Sequence, residues 1–290
     1  MTTSTKANSC VVEIGGIPIA LNTGDEPFLD SLRQRYAGFL SASAPELVLD
    51  ISLITPGDVS DDDVRVRRDG AEWLLERGDF QARWDPRTGR GLVSQSPNPY
   101  ALDSVLRILH SLVLAARGGF LLHAASAIAN GATGAPARPP VIGAGNQAFL
   151  FSGVSGAGKT TISRLAPPDV ALLTDEVSYV RPSSDGYSAY GTPFAGDFGR
   201  PGENRAAPVS TLFFLEKGPE NRIDDMPPAE AARRLMRNIL FFADEPQLVE
   251  MIFATACDFI QRVPVRRLTF YPDARVWDEI RAVEREPAHV

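Results

Sequence analysis

The chain has 290 residues, 44% of them hydrophobic and 22% charged, with a formal net charge of −7. That length suits one large domain or two modest ones, and the composition is ordinary for a globular protein. The acidic balance argues against holding nucleic acid by general phosphate neutralisation and against docking on anionic lipid, so neither nucleic acid nor membrane is expected as a partner.

Cys10 and Cys257 are the only cysteines and lack metal-ligand spacing, which suits a reducing compartment. The polar start from Met1 to Ser9 lacks the apolar stretch of a secretory signal, and no apolar run reads as approaching a membrane span. A cytoplasmic location is the expectation.

Val11 to Leu21 reads as two strands around Gly15-Gly16. Phe28, Leu29, Leu32, Tyr36, Phe39 and Leu40 fall on one helical face. Leu47, Leu49, Ile51 and Leu53 alternate with Val48, Asp50 and Ser52 as a half-buried strand. Turn signals at Asp69-Gly70 and from Asp85-Pro86 to Gly89 separate short strands carrying Trp73, Leu75, Phe80 and Trp84. Residues 1–98 are therefore expected to form a small N-terminal α+β module around an antiparallel sheet.

Pro99 to Arg117 reads as an apolar helix. Gly119 to Ala129 and Gln147 to Gly153 read as buried strands, separated by the Gly-, Ala- and Pro-rich stretch Asn130 to Asn146. A short helix from Thr160, a strand Val170 to Thr174 and strand-like pieces to Val180 follow. Gly191 to Ala207 is loop-like, and Val209 to Glu216 is an apolar strand. Pro228 to Phe242 and Pro246 to Val263 read as helices, Val265 to Tyr271 as a strand and Ala274 to Val283 as a closing helix. Residues 99–290 are expected to be an α/β domain.

Gly153-Val-Ser-Gly-Ala-Gly-Lys-Thr160 fits the pattern of a phosphate-binding loop, with the strand-like Ala148-Phe-Leu-Phe-Ser before it and a helix start after it. Glycines let the backbone turn tightly and aim successive amides at phosphate oxygens, and the helix N-terminus adds partial positive charge. Lys159 supplies a compact cation, and the Thr160 hydroxyl is a candidate Mg²⁺ ligand. The expected ATP-binding residues are Gly153, Ser155, Gly156, Ala157, Gly158, Lys159, Thr160 and Thr161.

Two further features accompany the loop. Ala171-Leu-Leu-Thr-Asp175-Glu176 is an apolar strand ending in a carboxylate pair, able to hold Mg²⁺ and to accept a proton. The competing reading is an ordinary acidic strand end. His123 lies inside the apolar strand Phe120 to Ser126. Alone it reads as a core histidine, but the adjacent loop brings phosphate chemistry within reach.

In this order the three elements resemble the HPr kinase/phosphorylase family. The run Phe149 to Thr161 with Asp175-Glu176 is also similar to the site of ATP-dependent phosphoenolpyruvate carboxykinases. The resemblance runs over residues 119–216 and looks most like HPr-kinase-related proteins of bacterial biosynthetic or peptide-modification clusters. It implies a P-loop kinase domain of the HPr kinase/PEP carboxykinase type at 99–290. It further implies Asp175 as base, Glu176 with Thr160 as holders of Mg²⁺, and His123 as an orienting group. Arg200-Pro-Gly-Glu-Asn-Arg205 is similar to a Pro-Gly-Arg-Asn signature, which suggests Arg205, with Arg200 as alternative, as a phosphate contact. The loop Gly191 to Gly196 would cover the acceptor.

The expected function is ATP- and Mg²⁺-dependent phosphoryl transfer to a hydroxyl, a serine foremost, of a peptide, protein or metabolite. Competing readings are a non-catalytic nucleotide-binding regulatory module and a carboxykinase or general nucleotidase. Reverse phosphorolysis and homo-oligomeric assembly are both compatible with the resemblance.

Overall fold

A computed structural model describes residues 8–55, 63–130, 146–196 and 199–283. Its elements form two sheets and six helices, a mixed α/β chain. The chain divides into two units, Met1–Val113 with Phe241–Val249, and Leu114–Leu240 with Glu250–Val290.

In the first unit, β1 (Asn8–Ile14) and β2 (Ile17–Thr23) form a hairpin. Gly15 and Gly16, at φ 62° and 70°, take the doubly left-handed turn that matches strand twist. Helix α1 (Glu26–Arg35) begins where the Asp25 carboxylate accepts from the Phe28 amide at 2.8 Å, and it buries Phe28, Leu29 and Leu32. Strands β3 (Leu47–Leu53), β4 (Arg65–Asp69), β5 (Glu72–Arg77), β6 (Phe80–Asp85) and β7 (Arg90–Gln95) complete the order β1-β2-β3-β7-β6-β5-β4.

This sheet is mixed, not antiparallel, because β3 runs parallel to both β2 and β7. Helix α1 carries the chain back along the sheet before β3 begins, so β3 restarts in the direction of β2. Period-two alternation reports which face is buried but not which way a strand runs.

Helix α2 (Pro99–Ala116) corrects the expectation that no apolar run reaches span length. By length and composition it could cross a membrane, yet 72% of it is buried inside the protein. Asp103 and Arg107 break the run in the sequence without lowering its mean hydropathy below that of a span. The Asp103 carboxylate is itself buried, accepting from the Tyr36 hydroxyl at 2.7 Å and pairing with Arg35.

The second unit holds β8 (Phe120–Asn130), β9 (Asn146–Ser152), α3 (Lys159–Arg164), β10 (Ala171–Thr174), β11 (Val177–Ser183), β12 (Gly186–Tyr190), β13 (Ala206–Lys217), β14 (Arg222–Asp225), α4 (Pro228–Asn238), β15 (Ile239–Leu240), β16 (Val265–Phe270) and α6 (Val276–Val283). Helix α5 (Pro246–Arg262) enters it from Glu250 onward. Strands β9, β13 and β16 are mutually parallel neighbours, flanked by antiparallel β8 and β14. Pairings also run from β8 through β11, β12 and β13 to β9 and back to β8, so the ladder closes on itself.

Each sheet face has its own core. On one, Phe149, Phe151 and Phe213 pack with Ala157, Ile162 and the α6 residues Trp277 and Ile280. Phe151 stacks on Phe213 at 5.8 Å and meets Trp277 edge-on at 5.5 Å. On the other, Leu150, Leu212 and Phe214 pack with Leu235 of α4 and with Ala256 and Phe259 of α5. A six-residue helix such as α3 is too short to hold alone. Burial of Ile162 and the bond from Trp277 Nε1 to the Ile162 carbonyl, 3.2 Å, pin it to the sheet.

Strands β12, β14 and β15 carry no clear sequence signal. β14, Arg222-Ile-Asp-Asp225, is charged, and β15 is only two residues long. Most of the Asn130 to Asn146 stretch, residues 131–145, lies outside the described residues.

Candidate functional site

Strand β8 organises the site from both of its edges. On one, β9 runs antiparallel with Ser152 opposite Ala124. On the other, β10 and β11 follow one path: Thr174 lies opposite Ser126 and Val177 opposite His123. Both strands advance three residues between those pairs, so Asp175 and Glu176 interrupt the ladder without shifting its register. The glycine loop that leaves Ser152 and the carboxylate pair thus flank the same stretch of β8, about 10 Å apart at two strand spacings. His123 shares its face of β8 with Ala125 and Ala127, which pack in the core that holds Ala157 and Ile162.

The loop itself is tightly wound. Gly156 and Gly158 sit at φ 76° and 115°, backbone that disfavours any side chain. A Cβ on Gly158 would also lie 2.5 Å from the Phe270 ring, so the loop is seated directly on the end of β16. The Ala157 amide donates to the Val154 carbonyl at 3.0 Å. Lys159 is buried, and its Nζ donates to the Gly153 carbonyl at 3.0 Å. Ser155 and Gly156 are exposed, whereas Thr160 and Thr161 at the start of α3 are half-buried. The first amides of a helix have no intrahelical acceptor.

Across β8, the acidic turn is held by hydroxyls. Thr174 Oγ1 accepts from the amides of Glu176 and Val177, each at 3.3 Å. Thr192 Oγ1 donates to the Val177 carbonyl at 2.8 Å and lies 3.2 Å from Thr174 Oγ1. Asp175 is 3% exposed, and its Oδ1 accepts from the Gly196 amide at 2.9 Å. Glu176 is half-buried.

The segment bearing Thr192 and Gly196 is a strap whose base is tied to β10. The amides of Thr192 and Glu203 donate to the carbonyls of Leu173 and Leu172 at 3.3 and 3.2 Å, and the Gly202 amide donates to Thr192 at 3.1 Å. A Cβ on Gly191 would overlap the Glu203 carbonyl, and one on Gly202 the Leu173 carbonyl. Glycine is needed at both positions for this close approach.

Of the residues singled out in the sequence, the loop residues 153–161, His123, Asp175 and Glu176 gather around β8. Arg205 forms an ion pair with Glu203 at 3.2 Å, two residues away, and Arg200 is exposed. Among the described residues no group of three or more His, Cys, Asp or Glu side chains forms a metal cage. Thr160 and Glu176 offer hard oxygen donors, and Mg²⁺ characteristically takes one or two protein oxygens with phosphate and water completing its shell. The sequence reading gave no individual role to Thr174, Thr192, Gly196 or Gly202, although Thr192 and Gly196 fall in the Gly191 to Gly196 loop that it placed over the acceptor.

A family model described as SynChlorMet cassette protein ScmC matches residues 100–285. The chain belongs to the ScmC family. This corrects the kinship with HPr kinase/phosphorylases drawn from the order of His123, the glycine loop and Asp175-Glu176. A loop that wraps phosphate imposes the same few glycines, lysine and threonine on any strand–loop–helix unit, so the pattern reports a shared physical demand ahead of shared descent. The ScmC match begins inside α2 and covers the glycine loop, the acidic turn, the strap and α6. No curated protein matches the chain.

Proposed function

We propose that the chain is an ATP- and Mg²⁺-dependent phosphotransferase that moves the γ-phosphoryl group to a hydroxyl, a serine foremost, of a peptide, protein or small molecule. On this reading the second unit is a nucleotide-binding P-loop domain. The observation that carries the reading is the shared register on β8: the Gly153–Thr160 loop leaves one edge where the Asp175-Glu176 pair interrupts the other.

The residues fit a nucleotide polyphosphate. Gly156 and Gly158 hold a backbone curve that side chains would prevent, and Lys159 sits at the loop's base. Phosphoryl transfer spreads charge over the moving oxygens, so positioned amides and cations supply most of the catalysis. The loop amides and Lys159 would bind the β- and γ-phosphates, with Lys159 exchanging its bond to Gly153 for phosphate oxygens. Thr160 and Glu176 would hold Mg²⁺, which when bound neutralises phosphate charge. Asp175 would accept the proton of the incoming hydroxyl, and His123 would orient that end of the site.

A second reading is a nucleotide-binding regulatory module that transfers nothing. The burial of Asp175 at 3% exposure under the strap favours it, since a base must meet its acceptor. Incubation with γ-labelled ATP, Mg²⁺ and serine-bearing peptides separates the two. Labelled product supports transfer. Tight MgATP binding with neither labelled peptide nor released phosphate supports the module, and no binding sinks both.

A further inference from the structure

The Asp175 carboxylate is fixed by residues some twenty positions further along the chain. We propose that the strap residues Thr192 and Gly196 position it, Thr192 through a two-hydroxyl relay and Gly196 by direct amide contact, so that the seated strap sets where the carboxylate points. This rests on the phosphotransferase reading for its consequence in turnover, but not for its geometry.

The relay is a chain of hydrogen bonds through two threonine hydroxyls. Each threonine hydroxyl has one hydrogen to give and lone pairs to receive. Thr192 Oγ1 gives its hydrogen chiefly to the Val177 carbonyl at 2.8 Å and also points it at Thr174 Oγ1, the acceptor at 3.2 Å. Thr174 Oγ1 still has lone pairs for the amides of Glu176 and Val177. Thr174 Oγ1 is thus an acceptor at all three of these contacts. Because Thr174 is 1% exposed and Thr192 is fully buried, water cannot replace either hydroxyl. The relay grips both sides of the interruption, its start at Thr174 and its resumption at Val177, and leaves Asp175 protruding between them.

The second grip is the Gly196 amide on Asp175 Oδ1. A Cβ at Gly196 would stand 3.0 Å from both Asp175 Oδ2 and the Glu176 Cβ, so the strap lies directly on the acidic pair. Thr192 and Gly196 lie four residues apart on one strap, whose base is pinned to Leu172 and Leu173 by amides. Displacing the strap therefore breaks the relay and the Gly196 bond to Asp175 together.

The test uses the full chain as wild type, Thr192→Val and Thr192→Ser. Valine keeps the shape of threonine without its hydroxyl, and serine keeps the hydroxyl. Hydrogen exchange resolved to single amides is measured first. In Thr192→Val, exchange at Glu176, Val177 and Gly196 should rise at least tenfold while β9 and β13 keep wild-type protection, and Thr192→Ser should restore it. Unchanged exchange at those three amides overturns the proposal. So does a uniform rise across the unit, which marks a merely structural residue.

The turnover arm measures phosphate released from MgATP, with water as acceptor, beside affinity for a fluorescent ATP analogue. Thr192→Val should lower kcat by about 10²-fold, the cost of a misplaced reacting group. Analogue affinity should stay within about twofold. A local change in exchange with kcat unaltered overturns the catalytic part of the proposal. A wild type that neither binds the analogue nor releases phosphate sinks the phosphotransferase reading instead, and the exchange arm alone then decides the positioning.

Discussion

Lys159 Nζ donates to the carbonyl of Gly153, six residues earlier, at 3.0 Å, so the loop's cation is held over the strand end by the loop's own backbone. A buried ammonium bonded to a neutral carbonyl gains charge-assisted bonds when it exchanges that carbonyl for phosphate oxygens. Lys159→Met is expected to weaken MgATP binding about 10- to 100-fold, the equivalent of one charged hydrogen bond of about 1.5–3 kcal/mol. Calorimetric titration with a non-hydrolysable analogue reads it. Wild-type affinity in the variant would remove Lys159 from the phosphate site.

Asp175→Asn keeps the shape of the side chain and an oxygen for the Gly196 amide, but gives up the base. MgATP affinity is expected to hold while transfer falls about 10²- to 10⁴-fold. Single-turnover transfer from labelled ATP separates binding from chemistry. Equal rates in the variant and wild type would discharge Asp175 from proton acceptance and leave it a structural anchor for the strap.

Much of this was legible before any fold, and the limits have physical causes. The glycine loop was readable because the φ angles of Gly156 and Gly158 demand a residue type, so backbone geometry leaves its mark in composition. The placing of the Asp175-Glu176 turn beside β8 was not, because register between strands about fifty residues apart depends on partners that no local pattern names. Thr192 is the clearest case. A single threonine in a Gly- and Pro-rich stretch looks like loop filler until its hydroxyl is found on the Val177 carbonyl. The direction of β3 failed for a similar reason: its alternation was correct, yet parallel and antiparallel partners produce the same alternation. Kinship failed for another, since the motif constrains chemistry more tightly than ancestry.

Gly158→Ala forces a side chain into positive-φ backbone and against the Phe270 ring. The backbone strain alone costs about 1–3 kcal/mol, and the ring contact adds to it. A lower urea midpoint, together with weakened nucleotide binding, is the expected result. Phe270→Leu in the same chain should return part of the stability by opening room for the Cβ, without restoring the whole, because φ remains wrong for alanine. A double variant no more stable than Gly158→Ala would mean that the ring is not what resists the methyl group.

The Tyr187 hydroxyl donates to Asp258 at 2.8 Å, and Arg262 donates to the other carboxylate oxygen at 2.9 Å. Burial first, and then the bond to Asp258, push the tyrosine well above its ordinary range. The tyrosine bond first, with Arg262 behind it, holds the Asp258 carboxyl below its own. The two shifts act at opposite ends of the pH scale. A depressed carboxyl stabilises the fold above its unfolded value of about 3.9 and loses that contribution as pH falls through the folded value. A raised phenol stabilises fully below its unfolded value of about 10 and loses that contribution as pH climbs from there through the folded value. Tyr187→Phe should therefore lower the melting temperature across neutral pH, with the gap to wild type narrowing in acid as Asp258 protonates in both proteins. Above about pH 10 the gap should narrow as well, since the unfolded wild type sheds its phenol proton while the folded state must keep it. Thermal melts from pH 3 to 11 read the curve, and a gap constant across the acid limb would show that the bond to Asp258 contributes nothing to it.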